Sequence, residues 1–213
     1  MKINKYLCAL AIAGASTVPL SAATTLLDNT SAGISVSNAL SFDSDDSVAL
    51  LFSTGSTAYD LRSIEFAINS VINETGSITL SLYSGATPSG TAVASQTFSG
   101  ISFTSTRTAL TKNLSDAFAV AANSNYTLLL ATSVSFGRLC STTTGANLSG
   151  GTSGLTYLGR KFSSNGGASW NGPFTSVTPY MKLTDTVAVP EPSAFSLLAI
   201  GLGGLAILRR RLS

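Results

Sequence analysis

Period-two alternation of apolar residues constrains this chain most. Ile64, Phe66 and Ile68 alternate with Ser63, Glu65 and Ala67, and Ile78, Leu80 and Leu82 alternate with Thr79, Ser81 and Tyr83. Successive side chains of a strand point to opposite faces, so each set is an apolar row that needs a covering layer. Tyr126 to Val134 is more continuously apolar, the pattern of a central strand buried on both faces. Val177, Met181 and Leu183 share a face, and Pro179 between them predicts an edge position, because proline donates nothing to a ladder. Further candidate strands are Val48–Phe52, Thr91–Phe98, Ile101–Phe103, Thr108–Leu114, Ala117–Val120 and Leu155–Phe162.

Turn residues separate these runs at Asn73–Gly76, Ser84–Gly90 and Asn123–Asn125, while Gly145–Gly154 and Ser163–Pro173 read as long surface loops. No long amphipathic helical pattern lies between the termini. The expectation is all-β: an antiparallel β-sandwich, jelly-roll-like, with an N-terminal signal helix and a C-terminal transmembrane helix.

The two ends are different in kind. Lys2 and Lys5 precede an apolar run from Tyr6 to Val18, and Ser21-Ala22-Ala23 supplies small residues for a peptidase. Residues 1–23 therefore read as a secretory signal peptide cut after Ala23, which implies the Sec translocon and signal peptidase as partners. Cys8 stands at the start of the apolar run rather than after it, which argues against a lipid anchor. At the other end, Val189-Pro190-Glu191-Pro192-Ser193 precedes an apolar run to Leu208 and then Arg209-Arg210-Arg211. The prolines keep the motif extended, the apolar run can enter a bilayer, and the arginines hold their end in the cytoplasm. Ser193 to Leu208 spans only about 24 Å as a helix, against about 30 Å of hydrocarbon. So short a helix suits a transient anchor.

This tripartite tail resembles the PEP-CTERM sorting signal of Gram-negative bacteria. The resemblance implies that an exosortase recognises Pro190, Glu191 and Pro192. It also implies an inner-membrane-anchored intermediate that is released to the cell envelope surface or extracellular matrix. An ordinary C-terminal membrane anchor is the other reading of the same residues. The chain then divides into residues 1–23 as signal peptide, 24–188 as the β-sandwich and 189–213 as the sorting signal.

Within the body, Tyr59-Asp60-Leu61, Ile78-Thr79-Leu80-Ser81-Leu82-Tyr83, a Pro/Gly turn, Ala122-Asn123-Ser124-Asn125-Tyr126-Thr127-Leu128 and the late Trp170 are similar to the choice-of-anchor R domain. That similarity implies an exported bacterial surface domain and supplies no catalytic residues. Where related domains often carry a tryptophan after the central tyrosine, this chain has Thr127 and Leu128.

The formal charge of +2 belongs to the sorting segments. Without Lys2, Lys5 and Arg209 to Arg211, seven basic residues face nine acidic ones once Glu191 is also removed, so the body is about −2. Nucleic-acid binding, which needs a basic patch, is not expected. Histidine is absent, which excludes Ser-His-Asp and Cys-His catalysis and the usual imidazole metal sites. Cys140 is the one cysteine left after signal cleavage, either a core or loop thiol or a partner for an intermolecular disulfide.

Other polar groups carry paired readings. Asp60, Glu65, Glu74 and Asp116 are the candidates for a glycosidase carboxylate pair, although Glu65 sits where a solvated charge belongs. Asp43, Asp45 and Asp46 form either a solvated acidic turn or a calcium site, and they lack the glycine and distal glutamate of an EF-hand loop. Tyr157, Trp170 and Tyr180 offer aromatic faces for sugar rings, while the plainer reading of Trp170 is that it plugs one end of the sandwich. Asn29, Asn73, Asn113, Asn125 and Asn147 lie in sequons, weak evidence for glycosylation in a chain with a bacterial sorting tail.

The expected protein is thus a non-enzymatic exported surface or matrix protein, without cofactor or metal, in a structural or adhesive role. The alternative is a carbohydrate-binding module acting in the exopolysaccharide matrix. A glycoside hydrolase is the third class.

Overall fold

A computed structural model describes residues 24–142, 148–149 and 153–185. The strands in chain order are β1 (Thr25–Asp28), β2 (Ile34–Ser41), β3 (Ser47–Ser53), β4 (Tyr59–Ser70), β5 (Glu74–Ser84), β6 (Ala94–Phe103), β7 (Thr108–Val120), β8 (Asn125–Thr132), β9 (Gly137–Thr142), β10 (Thr156–Ser163), β11 (Asn171–Phe174) and β12 (Met181–Thr184). They form two antiparallel sheets. Among the described residues there is no α-helix, only a 3₁₀ turn at Thr30–Ala32.

The second sheet has the order β11-β10-β3-β8-β5-β6. In the first, β4 pairs along one side with β7. Its other side is shared by two short strands in tandem, β12 against Ser63–Phe66 and β9 against Ile68–Ser70. Outside these lie β1 on β12 and β2 on β9. Only β5–β6 and β10–β11 are consecutive strands that pair with each other. Every other connection crosses between the sheets or joins strands that are not neighbours.

The alternating rows fold as their period demands. Ile64, Phe66 and Ile68 of β4 and Ile78, Leu80 and Leu82 of β5 are buried in one core with Val48, Leu50 and Phe52 of β3 and Leu128 and Leu130 of β8. Each such side chain contributes about 1.5–3 kcal/mol on burial. The continuously apolar run is indeed central, since β8 pairs with both β3 and β5. Ring stacking between Phe52 and Tyr126, with centroids 5.9 Å apart, joins β3 to β8.

Several expectations are corrected. Pro179 does not mark an edge. It lies just before β12, which pairs with β1 on one side and β4 on the other. The proline is tolerated because it precedes the ladder, and its carbonyl accepts from Asn29 Nδ2 at 2.9 Å. Val177, at φ 54°, stands outside the strand. The Thr91–Phe98 run enters a strand only at Ala94, and with Ile101–Phe103 it forms the single strand β6, where Gly100, at φ 69°, absorbs the irregularity between them. Thr108–Leu114 and Ala117–Val120 likewise form one bulged strand, β7. The Ser163–Pro173 loop ends early, because β11 begins at Asn171.

The polar face of β4 is also drier than alternation predicts. Ser63 and Ala67 are buried, and Glu65 is half-buried rather than solvated. Ala67 packs with Cys140 and Tyr180 in a second small cluster, backed by Ile34, which covers the outer side of the strand. On β5, Ser81 is buried too, with its hydroxyl 2.8 Å from that of Ser95 on β6. Gly137 opens β9 under the chain at Phe42, whose N–H donates to the Gly137 carbonyl at 3.0 Å. A Cβ at Gly137 would overlap the Phe42 carbonyl oxygen, so no larger residue fits that approach.

Candidate functional site

β1 and β12 place the two ends of the described body side by side. Thr25 pairs with Thr184, and beyond that pair the Thr24 N–H donates to Asp185 Oδ1 at 2.8 Å. The Asp185 N–H returns a bond to the Thr24 carbonyl at 3.2 Å. An open cleft of about 670 Å³ lies at this end, lined by Tyr59, Asp60, Arg62, Ala121, Tyr126 and Asp185. Asp60 is paired with Arg62 at 3.3 Å, with both side chains in contact with solvent.

Two of the other candidate carboxylates, Glu74 and Glu65, have structural partners. Glu74 accepts from the N–H groups of Ser135 and Phe136, both at 2.9 Å, and from Ser70 Oγ at 3.3 Å. It therefore pins the β8–β9 connection to the start of β5. Glu65 accepts from the Tyr180 hydroxyl at 2.8 Å. Asp116 is exposed on β7.

Asp43 Oδ1 accepts from the N–H groups of Asp45 and Asp46, both at 3.0 Å, which closes the acidic turn on itself. Burial raises the Asp46 carboxyl above its ordinary value, with Asp43 and Asp45 adding to the rise and Ser41 opposing it. Among the described residues no group of three His, Cys, Asp or Glu side chains is arranged to hold a metal ion.

The three aromatic candidates stand in different settings. Tyr157 of β10 packs half-buried against the core, its hydroxyl is buried with no hydrogen-bond partner among the described residues, and burial pushes it up to about 12. Tyr180 is buried on the outer side of the first sheet. Its hydroxyl is pushed up to about 12 by burial first and then by Glu65. Trp170 is half-buried in the loop ahead of β11, and its Nε1 is buried with no hydrogen-bond partner among the described residues. Cys140 is fully buried, its thiol 3.6 Å from Asn69 Oδ1 and pushed up to about 11 by desolvation. That is the setting of an inert core thiol.

The processing residues Ala23, Pro190, Glu191 and Pro192 lie outside the described residues, as do the expected signal helix, the expected C-terminal span and most of Gly145–Gly154. Among the described residues no helix is long and apolar enough to cross a membrane. Residues 188–211 match the PEP-CTERM protein-sorting motif. The match covers the proline–glutamate motif, the apolar run and the arginines up to Arg211. The chain thus carries a signal for export and for exosortase processing, which directs a protein to the cell surface or beyond. No curated protein and no solved structure matches the chain.

What the sequence missed here is the pairing of Thr24 with Asp185. No local pattern reveals it, because the partners are 161 positions apart.

Proposed function

We propose that this chain is an exported surface or extracellular-matrix protein whose β-sandwich has a structural or adhesive role. One observation carries the reading: the PEP-CTERM match begins at residue 188, close behind Asp185, the last described residue of the sandwich. A processing enzyme acting at Pro190–Pro192 would cut on the C-terminal side of β12, the last described strand, and leave every described strand in one piece. In this reading the Sec translocon and signal peptidase act first, after Ala23. The protein then waits as an inner-membrane-anchored intermediate of a Gram-negative cell until the exosortase releases it. The body takes its place among choice-of-anchor R-like domains, with a jelly-roll-like path, and performs no catalysis. The structural partners of Glu65 and Glu74 support that last point, since both carboxylates already hold the fold together.

Intact-mass measurement of the protein released by its native host tests the reading. The expected mass lacks residues 1–23 and everything beyond the Pro190–Ser193 region. Glu191→Ala should block the second cut and leave the protein in the membrane fraction. Released protein that still carries Arg209 to Arg211 would overturn the proposal.

The second reading is a carbohydrate-binding module in the exopolysaccharide matrix. Trp170 favours it, because a half-buried indole in an exposed loop keeps part of its ring available to a sugar face. Loss of saturable glycan binding in Trp170→Ala would support it, and unchanged binding would remove this residue from the site.

A further inference from the structure

The sandwich has an open flank where two edge strands face each other. β2 ends the first sheet and β11 ends the second. Between them runs a groove of about 430 Å³, lined by Leu40 and Ser41 of β2, Arg160 and Phe162 of β10, and Asn171 and Phe174 of β11. Arg160 pairs with Leu50 and Phe162 with Val48. Cross-strand partners share a face, so Arg160 and Phe162 project to the core side of the sheet edge, and the arginine takes a position where an apolar residue belongs.

The guanidinium is fixed but not neutralised. Its Nε donates to the Val177 carbonyl at 2.8 Å, and its Cζ lies 5.2 Å from the centre of the Phe174 ring. Among the described residues no carboxylate pairs with it, and neither terminal nitrogen makes a hydrogen bond. Burial holds its pKa below the ordinary arginine value, with Tyr157 opposing the shift. A half-buried cation without a counter-ion is costly to keep, and an arginine fork matches a carboxylate in two parallel bonds. Beside it, Phe174 is 42 % exposed, an apolar surface of the kind that packs against a sugar ring. Asn171 and Ser41 add hydrogen-bonding groups.

We propose that this groove binds an acidic polysaccharide, with Arg160 taking the carboxylate of a uronic acid and Phe162 and Phe174 carrying the ring. The acidic turn sets the direction. Ser41 stands two residues ahead of Asp43, so that end of the groove lies nearest the acidic turn of Asp43, Asp45 and Asp46. The carboxylate is thereby directed to the Arg160 end, and the Ser41 end takes hydroxyls. The site rests on the glycan-binding reading but not on Trp170. The sorting reading stands whether or not the groove is occupied.

The test is titration calorimetry on the full chain in mild detergent, with hexamers of galacturonate, mannuronate and glucuronate-containing repeats as probes. Carboxyl-reduced hexamers of the same lengths serve as controls. At least one acidic hexamer should bind saturably, and its reduced form about tenfold or more weaker, the scale of one charge-assisted interaction. Arg160→Gln should lose the same factor, Arg160→Lys less, and Phe174→Ala should weaken acidic and reduced forms alike. Circular dichroism and melting of each variant exclude misfolding. No binding by any acidic hexamer would overturn the proposal. So would equal binding of acidic and reduced forms, or unchanged affinity in folded Arg160→Gln. Equal binding of oligoglutamate would overturn the saccharide assignment. Loss of Trp170→Ala binding with Arg160→Gln unaffected would move the site to the loop and leave the broader glycan reading intact.

Discussion

The nitrogen of Thr24 lies 2.8 Å from the side-chain oxygen of Asp185, joining the first and last described residues of the sandwich. Cleavage after Ala23 would turn that amide N–H into a charged α-amino group at the same place. The hydrogen bond would become an ion pair, made by maturation rather than by folding alone. We expect Asp185→Asn to destabilise the mature protein by about 1 kcal/mol, as for a partly exposed charged hydrogen bond. The loss should be smaller in a form that retains Ala23. Equal melting shifts in both forms would show that the amine charge has no part in it.

Alternation predicts a large asymmetry between core and surface positions on neighbouring strands. Leu80 is 1 % exposed, so Leu80→Asp should cost more than the 2–5 kcal/mol typical of a Leu→Ala cavity and abolish folding. Ser102→Asp, at an exposed position of β6, should stay within about 0.5 kcal/mol. Ser81 is a poor control despite its place opposite Leu80, because it is buried and bonded to Ser95. Thermal unfolding followed by circular dichroism measures both substitutions, and equal tolerance would contradict the face assignment.

Glu74 is the acceptor for two backbone N–H groups of the β8–β9 connection. Glu74→Ala leaves those donors without their partner and should cost about 1–3 kcal/mol. Hydrogen exchange at Ser135 and Phe136 should accelerate more than exchange in β5. Uniform acceleration across the sandwich would mean that the carboxylate does not act locally.

Stability should fall at alkaline pH. The hydroxyls of Tyr157 and Tyr180 are each pushed up to about 12 and the Cys140 thiol to about 11. In the unfolded chain these groups lose their protons near 10 and 8.5. As pH rises through about 9 to 12, the unfolded state releases protons before the folded state does, so the linkage slope is negative. The melting temperature should drop between pH 8 and pH 11, and Tyr180→Phe should flatten part of the drop. Cys140 should resist a thiol reagent at pH 8 until the protein unfolds. Rapid labelling of the folded protein would contradict its burial.

The sequence by itself determined the class of fold, most of the strands and the sorting tail. Those features are local: a strand's period of two is written in Ile64, Phe66 and Ile68, and the tail's motif, apolar run and arginines are contiguous. Tertiary structure decided what depends on neighbours in space. Strands β1, β2 and β9 carry little alternation of their own and exist through ladders with β12, β4 and each other. Pro179 looked like an edge signal because sequence cannot show that the ladder starts two residues later. Glu65 looked solvated because Tyr180, which donates to it, is 115 positions away. The Arg160 groove had one faint local trace, a charge two residues before Phe162 on the same face. Its meaning came only when β2 and β11, far apart in the chain, were brought to the same flank, where a cation's cost depends on which surfaces exclude water from it.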